Sequence, residues 1–186
     1  MENPKSENER IRTQSSDERI LSGMFSDRES TENAYNTLHE RGYTQKEINL
    51  LMSKETKEEY YGKEALKTEV GTKAAEHAGK GSAIGGTVGA IIGVVAAIGT
   101  SVAIPGLGIL VAGPIVAGLA GAGAGGVAGG AIGALVGSGV PEAKAKLYET
   151  GIKEGNVVIS VKPKTKEDAE FLESNWRNQK GEEVHY

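Results

Sequence analysis

Two short glycine-containing patterns in the sequence are similar to nucleotide-binding loops. Residues 121–126, Gly-Ala-Gly-Ala-Gly-Gly, match the GxGxxG pattern of dinucleotide-binding loops. That site also needs a preceding strand and an acidic residue about 20 positions further on, but here the glycines continue a four-residue spacing. Residues 78–82, Ala-Gly-Lys-Gly-Ser, resemble a phosphate loop, yet Ala74 and Gly81 break the GxxxxGK[ST] pattern. Neither pattern predicts a cofactor.

The remaining reactive side chains do not form a catalytic or metal-binding motif. His39, His77 and His185 are too far apart in the chain for a local metal site. The chain has no cysteine, which excludes disulfides, thiolate ligands and a cysteine nucleophile. The formal charge of −4 gives no reason to expect nucleic acid as a partner. We therefore predict a protein that is not an enzyme and has no catalytic, metal or cofactor residues.

A central run without charge separates two charged flanks. Residues 81–141 contain no Asp, Glu, Lys, Arg or His, and 19 of the 27 glycines lie within them. Two stretches repeat Gly at every fourth position, which is a helical spacing, and another backbone can approach closely along such a row. The candidate helix-packing residues are Gly81, Gly85, Gly89, Gly93, Gly121, Gly125, Gly129, Gly133 and Gly137.

The uncharged run is long enough to form a helical hairpin. Residues 105–108, Pro-Gly-Leu-Gly, divide it into arms of 82–104 and 109–138. Each arm, as a helix, could cross an apolar layer about 30 Å thick. In water each Gly costs about 1 kcal/mol relative to Ala within a helix, so an apolar setting favours the arms. We therefore expect membrane lipid as a partner, and self-association along the glycines.

Two other interpretations of the run stay open. Gly and Ala are weakly hydrophobic, and no Trp or Tyr lies at the expected membrane boundaries, where these residues are common. The hairpin could instead pack on its own domain or on other copies without entering a membrane. A disordered glycine-rich linker is the third interpretation, although flexible linkers rarely show such regular spacing.

The N-terminal flank predicts half of a small α+β domain. Residues 1–18 read as a disordered polar tail, without the apolar core of a secretory signal. Within 19–53, a strand leads to a helix that starts at a Ser26–Glu29 capping box and ends at Gly42, and a second strand follows. Residues 54–80 are predicted to be a charged helical connector.

The C-terminal flank, residues 142–186, repeats this order after a short helix that begins beside Pro141. Residues 156–162 are rich in β-branched side chains and read as a strand. A helix then begins at Thr165, and a closing strand follows Gly181. The two βαβ halves predict a ferredoxin-like α+β sandwich, with the hairpin inserted between its second and third strands.

The flanks resemble the general stress protein 17M-like domains, also described as heat-induced stress protein domains. The positions that carry this resemblance are Phe25, Ala34, Leu38, Gly42, Ile48, Leu51, Tyr148, Gly151, Gly155, Val157, Val158 and Val161. Asn156 stands where that family often has a second Gly. A glycine-rich block between two such halves is similar to related proteins, some named low-temperature-induced. The resemblance implies a ferredoxin-like domain and a stress-linked role in a bacterium, and it implies no catalytic residue.

Together these observations predict a stress-associated domain tethered to the bacterial inner membrane, with the domain in the cytoplasm. The alternative is a cytoplasmic ligand-binding or sensory module, whose hairpin packs against its own domain or against other copies. Neither hypothesis identifies a protein partner.

Overall fold

The computed structural model describes residues 19–61, 102–104, 107–116 and 130–186. In these residues the chain forms a six-stranded antiparallel sheet with five helices, which confirms the predicted α+β class. The elements in chain order are β1 (Leu21–Phe25), α1 (Arg28–Glu40), β2 (Ile48–Ser53), α2 (Lys54–Tyr61), β3 (Val102–Ile104), β4 (Ile109–Ala112), α3 (Gly130–Gly137), α4 (Glu142–Lys153), β5 (Val157–Val161), α5 (Lys166–Asn178) and β6 (Glu182–His185).

The strands lie in the order β3-β4-β2-β5-β1-β6, and every neighbouring pair is antiparallel. In the centre of the sheet, Ser160 of β5 is the register partner of both Ser22 in β1 and Asn49 in β2. Successive strand residues point to opposite faces. These three polar residues therefore form one row on a single face of the sheet.

The predicted strands and helices of both flanks are present. Helix α5 starts as predicted, because the Thr165 hydroxyl accepts a hydrogen bond from the Asp168 N–H at 3.0 Å. The cap of α1 is Asp27 and not Ser26, since the Asp27 carboxylate accepts from the Ser30 N–H at 2.8 Å. The predicted box was therefore wrong by one residue. Gly42 ends α1 with a φ of +78°, as its type predicted.

The first face of the sheet is covered by α1 and α5. Leu21, Phe25 and Ile159 project from the strands into this layer, and Trp176 from α5 packs edge-on against Phe25 with ring centroids 5.7 Å apart. Ala169, Leu172 and Trp176, which the sequence placed on one helical face, are all fully buried. Their spacing of three and four residues brings one apolar side of α5 onto the sheet.

The second face is covered by α3 and α4. Met24, Leu51 and Val158 project from the strands into this layer. They meet Leu135 of α3 and Ile152 of α4, and both of these side chains are fully buried. The sheet is therefore buried on both faces, and the insertion supplies part of the second cover.

The prediction of helical arms is wrong for the residues beside the break. Residues 102–104 and 109–112 are strands β3 and β4, which pair with each other and extend the sheet from β2. Three of the described side chains here, Ile104, Ile109 and Val111, are β-branched and favour strands. Gly108 makes the turn between them with a φ of +65°. The pairing of β4 with β2 also provides hydrogen-bond partners for backbone N–H and C=O groups, which the end of a helix would leave without partners.

Other parts of the predicted hairpin are helical or lie outside the described residues. Residues 130–137 form α3, as predicted for that part of the second arm. The tail over 1–18, the connector beyond Tyr61, residues 82–101 of the first arm and residues 117–129 of the second arm lie outside the described residues.

Candidate functional site

The predicted helix-packing surface can be followed at two of its nine glycines. Gly133 and Gly137 lie on α3, four residues apart. Gly81, Gly85, Gly89, Gly93, Gly121, Gly125 and Gly129 lie outside the described residues. A Cβ atom added at Gly137 would meet no other atom within 4 Å, so this side of α3 is open among the described residues.

Helix α3 has one buried side and one outward side. Ala131, Ala134 and Leu135 are at most 5% exposed and pack into the second-face core. Val136 is 41% exposed and lies next to Gly137 in the chain. The helix contains no charged or polar side chain. Its outward side can therefore meet another surface only through backbone and apolar contacts.

A polar anchor that the sequence did not reveal holds the insertion on the sheet. The Asn49 side chain in β2 donates to the Ser160 hydroxyl at 3.2 Å and accepts from the Ile115 N–H at 2.8 Å. Gly113 lies against the same strand with a φ of +101°, and a Cβ there would come within 2.2 Å of the Ile48 carbonyl oxygen. Only glycine fits this approach. Residues 113–116 are therefore fixed tightly to β2.

Tyr148 of α4 is anchored to the same face. Its hydroxyl donates to the Glu183 carbonyl at 2.7 Å and lies 3.1 Å from the Ser22 hydroxyl. Since its one proton is used by that carbonyl, Ser22 donates to it. Burial raises the pKa of Tyr148 to about 12, and the Ser22 hydrogen bond opposes this rise. The buried row thus has partners from both the insertion and α4.

A second polar cluster joins the two halves of the domain on the first face. The buried Asp168 carboxylate accepts from the Tyr43 hydroxyl on one oxygen and from the Arg41 guanidinium on the other. The Tyr43 hydroxyl in turn accepts from the Lys164 N–H at 2.9 Å. Burial, and then the bond to Asp168, raises the pKa of Tyr43. Because each oxygen of Asp168 is already bonded inside the cluster, this arrangement is suited to holding the halves together.

The histidines are not brought together in the described residues. His39 lies in the last turn of α1, where its Nε2 atom is 3.1 Å from the Tyr35 hydroxyl and burial lowers its pKa. His185 ends β6, and His77 lies outside the described residues. Residues 121–126 and 78–82 lie outside them as well. In the part of the chain that the structure covers, no three acidic, His or Cys side chains form a group able to hold a metal ion.

Comparisons of the chain with protein-family models, with curated proteins and with solved structures find no match. The resemblance to the general stress protein 17M-like domains therefore stays a prediction from the residues quoted above. Among the helices of the described ranges, none combines the length and the apolar character that crossing a bilayer requires.

Proposed function

We propose that this protein is a non-enzymatic, stress-associated protein of the bacterial inner membrane. A ferredoxin-like domain in the cytoplasm holds a glycine-rich insertion, which associates with lipid and with the insertion of other copies. The link to stress is supported by the resemblance alone, through positions such as Phe25, Tyr148 and Gly151.

The ferredoxin-like assignment is supported by the strand order of the two flanks. Without the strands of the insertion, the order is β2-β5-β1-β6. In this order one strand of each βαβ half lies between the two strands of the other half, as in split βαβ folds. Strand β5 lies between β2 and β1, and β1 lies between β5 and β6. The helices of the two halves, α1 and α5, pack together on the first face. Strands β3 and β4 would then be an extension added at the β2 edge.

The observation that carries the proposed self-association is the outward side of α3. Val136 is exposed beside Gly137, whose Cβ position is open, so these two residues contribute little to the stability of the domain in water. In an interface, the same glycine allows the axes of two helices to approach closely, and the neighbouring valine fills the contact. The absence of charge over residues 81–141 means that lipid contact along this run requires no burial of charged groups.

Substitution of Gly137 by Leu tests this surface. The new side chain has room in the domain, so the far-ultraviolet circular dichroism and the urea midpoint should stay near wild type. The oligomer size in mild detergent and the fraction of protein in the membrane pellet should fall. Ala143→Leu is the matched control, because Ala143 is exposed on α4 and lies outside the glycine row. The proposal would be contradicted if G137L had the same oligomer size and the same membrane-pellet fraction as wild type and A143L.

One observation favours the alternative of a module that remains off the membrane. Ala131, Ala134 and Leu135 pack on the domain, so part of the insertion is used in its core. Fractionation without detergent separates the two functions. Carbonate-washed membranes should retain the protein if the insertion enters lipid, and should release it if the insertion only packs on protein.

A further inference from the structure

We infer that β3 is a pairing edge for a second copy of this chain, so that two six-stranded sheets join into one continuous antiparallel sheet. This contact lies at the edge of the sheet. It therefore goes beyond the proposed function, because it requires neither lipid nor the outward side of α3.

Strand β3 ends the sheet on the side of the insertion. It pairs with β4 through Val102, Ala103 and Ile104, and the register of these three pairs is regular. Within the described residues, no strand lies on the outer side of β3. The outer N–H and C=O groups of an edge strand are free to pair with another extended chain. The edge of β3 is therefore able to accept one more strand.

The opposite edge of the sheet, β6, has the protective features that β3 lacks. Glu182 and Glu183 are exposed on β6, and its register with β1 shifts between Ser22 and Met24. Glu183 also has a φ of +52°, which lies outside the range of a regular strand. Charged side chains and bulges prevent edge strands from pairing with other chains. Strand β3 contains no charged residue, no proline and no bulge, so pairing is favoured at β3 and opposed at β6.

The symmetry of strand pairing favours a second copy as the partner. An edge strand can pair antiparallel with its own counterpart about a two-fold axis, so that both copies contribute the same residues. Like charges directly opposite each other destabilise such a pair, and β3 brings none. The same arrangement at β6 would bring Glu182 and Glu183 close to their counterparts.

The second-face core extends as far as the β3 edge. Ile104 is only 5% exposed and belongs to the same buried cluster as Ile109 and Leu135. Residues directly opposite each other in an antiparallel pair point to the same face, so joining two β3 strands brings the second-face cores of the two copies side by side. Ala103 points to the other face of the sheet and is exposed there. Its side chain can therefore be replaced without changing that core.

Cross-linking tests this edge, because the chain has no cysteine. Full-length Ala103→Cys is treated with a short bismaleimide in mild detergent. Ala143→Cys, at an exposed position of α4, and Glu182→Cys, on the β6 edge, are the matched controls. Each variant is also combined with Gly137→Leu, so that contact through α3 does not hold the copies together.

We expect Ala103→Cys to form a covalent dimer with and without Gly137→Leu, and both controls to form much less. If Ala103→Cys gives no more dimer than the controls, pairing through β3 is wrong, whereas the proposed contact through α3 is unaffected. If its dimer is lost on addition of Gly137→Leu, the two β3 edges are close only because α3 holds them, and the inference is also wrong.

A charge on the same edge gives an independent measurement. Ala103→Lys adds to β3 the kind of side chain that protects natural edge strands. In the Gly137→Leu background it should raise the dissociation constant of the dimer by about tenfold, the equivalent of one or two backbone hydrogen bonds. Sedimentation velocity measures this constant, and Ala143→Lys is the control. Equal constants for the two lysine variants would overturn the inference, and if Ala103→Lys fails to fold, the cysteine variants decide alone. The membrane-pellet fraction of the wild-type chain tests the proposed function separately.

Discussion

The two faces of the sheet are covered in different ways. On the first face, α1 and α5 are capped amphipathic helices with charged outer sides, and large side chains such as Trp176 and Tyr35 fill the layer. On the second face, α3 has neither charge nor polar side chains, and Ala and Gly make much of its contact. The first cover is suited to water on its outside. In the second cover, the outer side of α3 is suited to a further apolar partner, whereas α4 carries charged side chains such as Lys146 and Lys153.

The second face also carries the polar row of neutral side chains, whereas the polar cluster of the first face contains the charged side chains of Asp168 and Arg41. Ser22, Ser160 and Asn49 are at most 4% exposed. A buried polar group that loses its partner destabilises the fold, so this row favours the one arrangement in which the insertion and α4 supply partners. The hydrogen bonds of Asp168 on the first face join the two halves of the domain, and those of Asn49 and Tyr148 on the second face fix the insertion and α4 to the sheet.

The sharpest test of this difference is the same truncation on each face. Leu172 and Leu135 are both fully buried. Leu172→Ala should lower the free energy of unfolding by about 2–5 kcal/mol. The loss for Leu135→Ala should lie at the low end of that range, because α3 is short and can move to fill the cavity. Urea denaturation measures both. An equal or greater loss for Leu135→Ala would show that the second cover is as rigidly packed as the first.

A smaller effect should follow from removing the polar anchor. Asn49→Leu leaves the Ile115 N–H without its acceptor and should cost about 1–3 kcal/mol. Amide hydrogen exchange should speed up at Ile115 more than at Leu38 of α1, which packs in the first-face core. Asn178→Leu, at an exposed position of α5, serves as the control. Uniform acceleration on both faces would mean that Asn49 stabilises the whole domain and not the insertion specifically.

The smallest effect concerns pH and Tyr148. Its pKa in the fold, about 12, lies above the usual tyrosine value of about 10. The stability that this difference contributes is complete below pH 10 and is lost as the pH rises through 12. Tyr148→Phe removes the titrating group, so the stability of the variant should fall less steeply than that of wild type between pH 10 and 12. Equal slopes in urea titrations would assign the alkaline sensitivity to the tyrosines of the first face, where burial raises the pKa of Tyr35.

Sequence patterns predicted the flanks because their signals are local. The Thr165 cap, the spacing of Leu172 and Trp176 and the β-branched run of β5 each specify their element without reference to the rest of the chain. Strands β3 and β4 were missed because a short apolar run fits a strand or a buried helix equally well. The turn residues at 105–108, set between β-branched side chains, were the available signal for a β-hairpin.

The site could be predicted only in part, for a similar reason. The Gly spacing predicted a helix through Gly133 and Gly137, and both lie on α3, while their role in helix packing stays a prediction. The partnership of Asn49, Ser160 and Ser22 depends on strand register across three strands that are distant in the chain, and no local pattern records that register.

Fixing β3 and β4 to the sheet has a consequence for how the insertion can vary. These strands divide the chain between α2 and α3 into two segments, residues 62–101 and residues 117–129, because β4 is paired with β2 between them. Doubling the length of a flexible loop costs only about 0.6 kcal/mol in closure entropy. Residues 62–101 could therefore be lengthened, shortened or exchanged for another sequence while β3, β4 and the rest of the described domain keep their places.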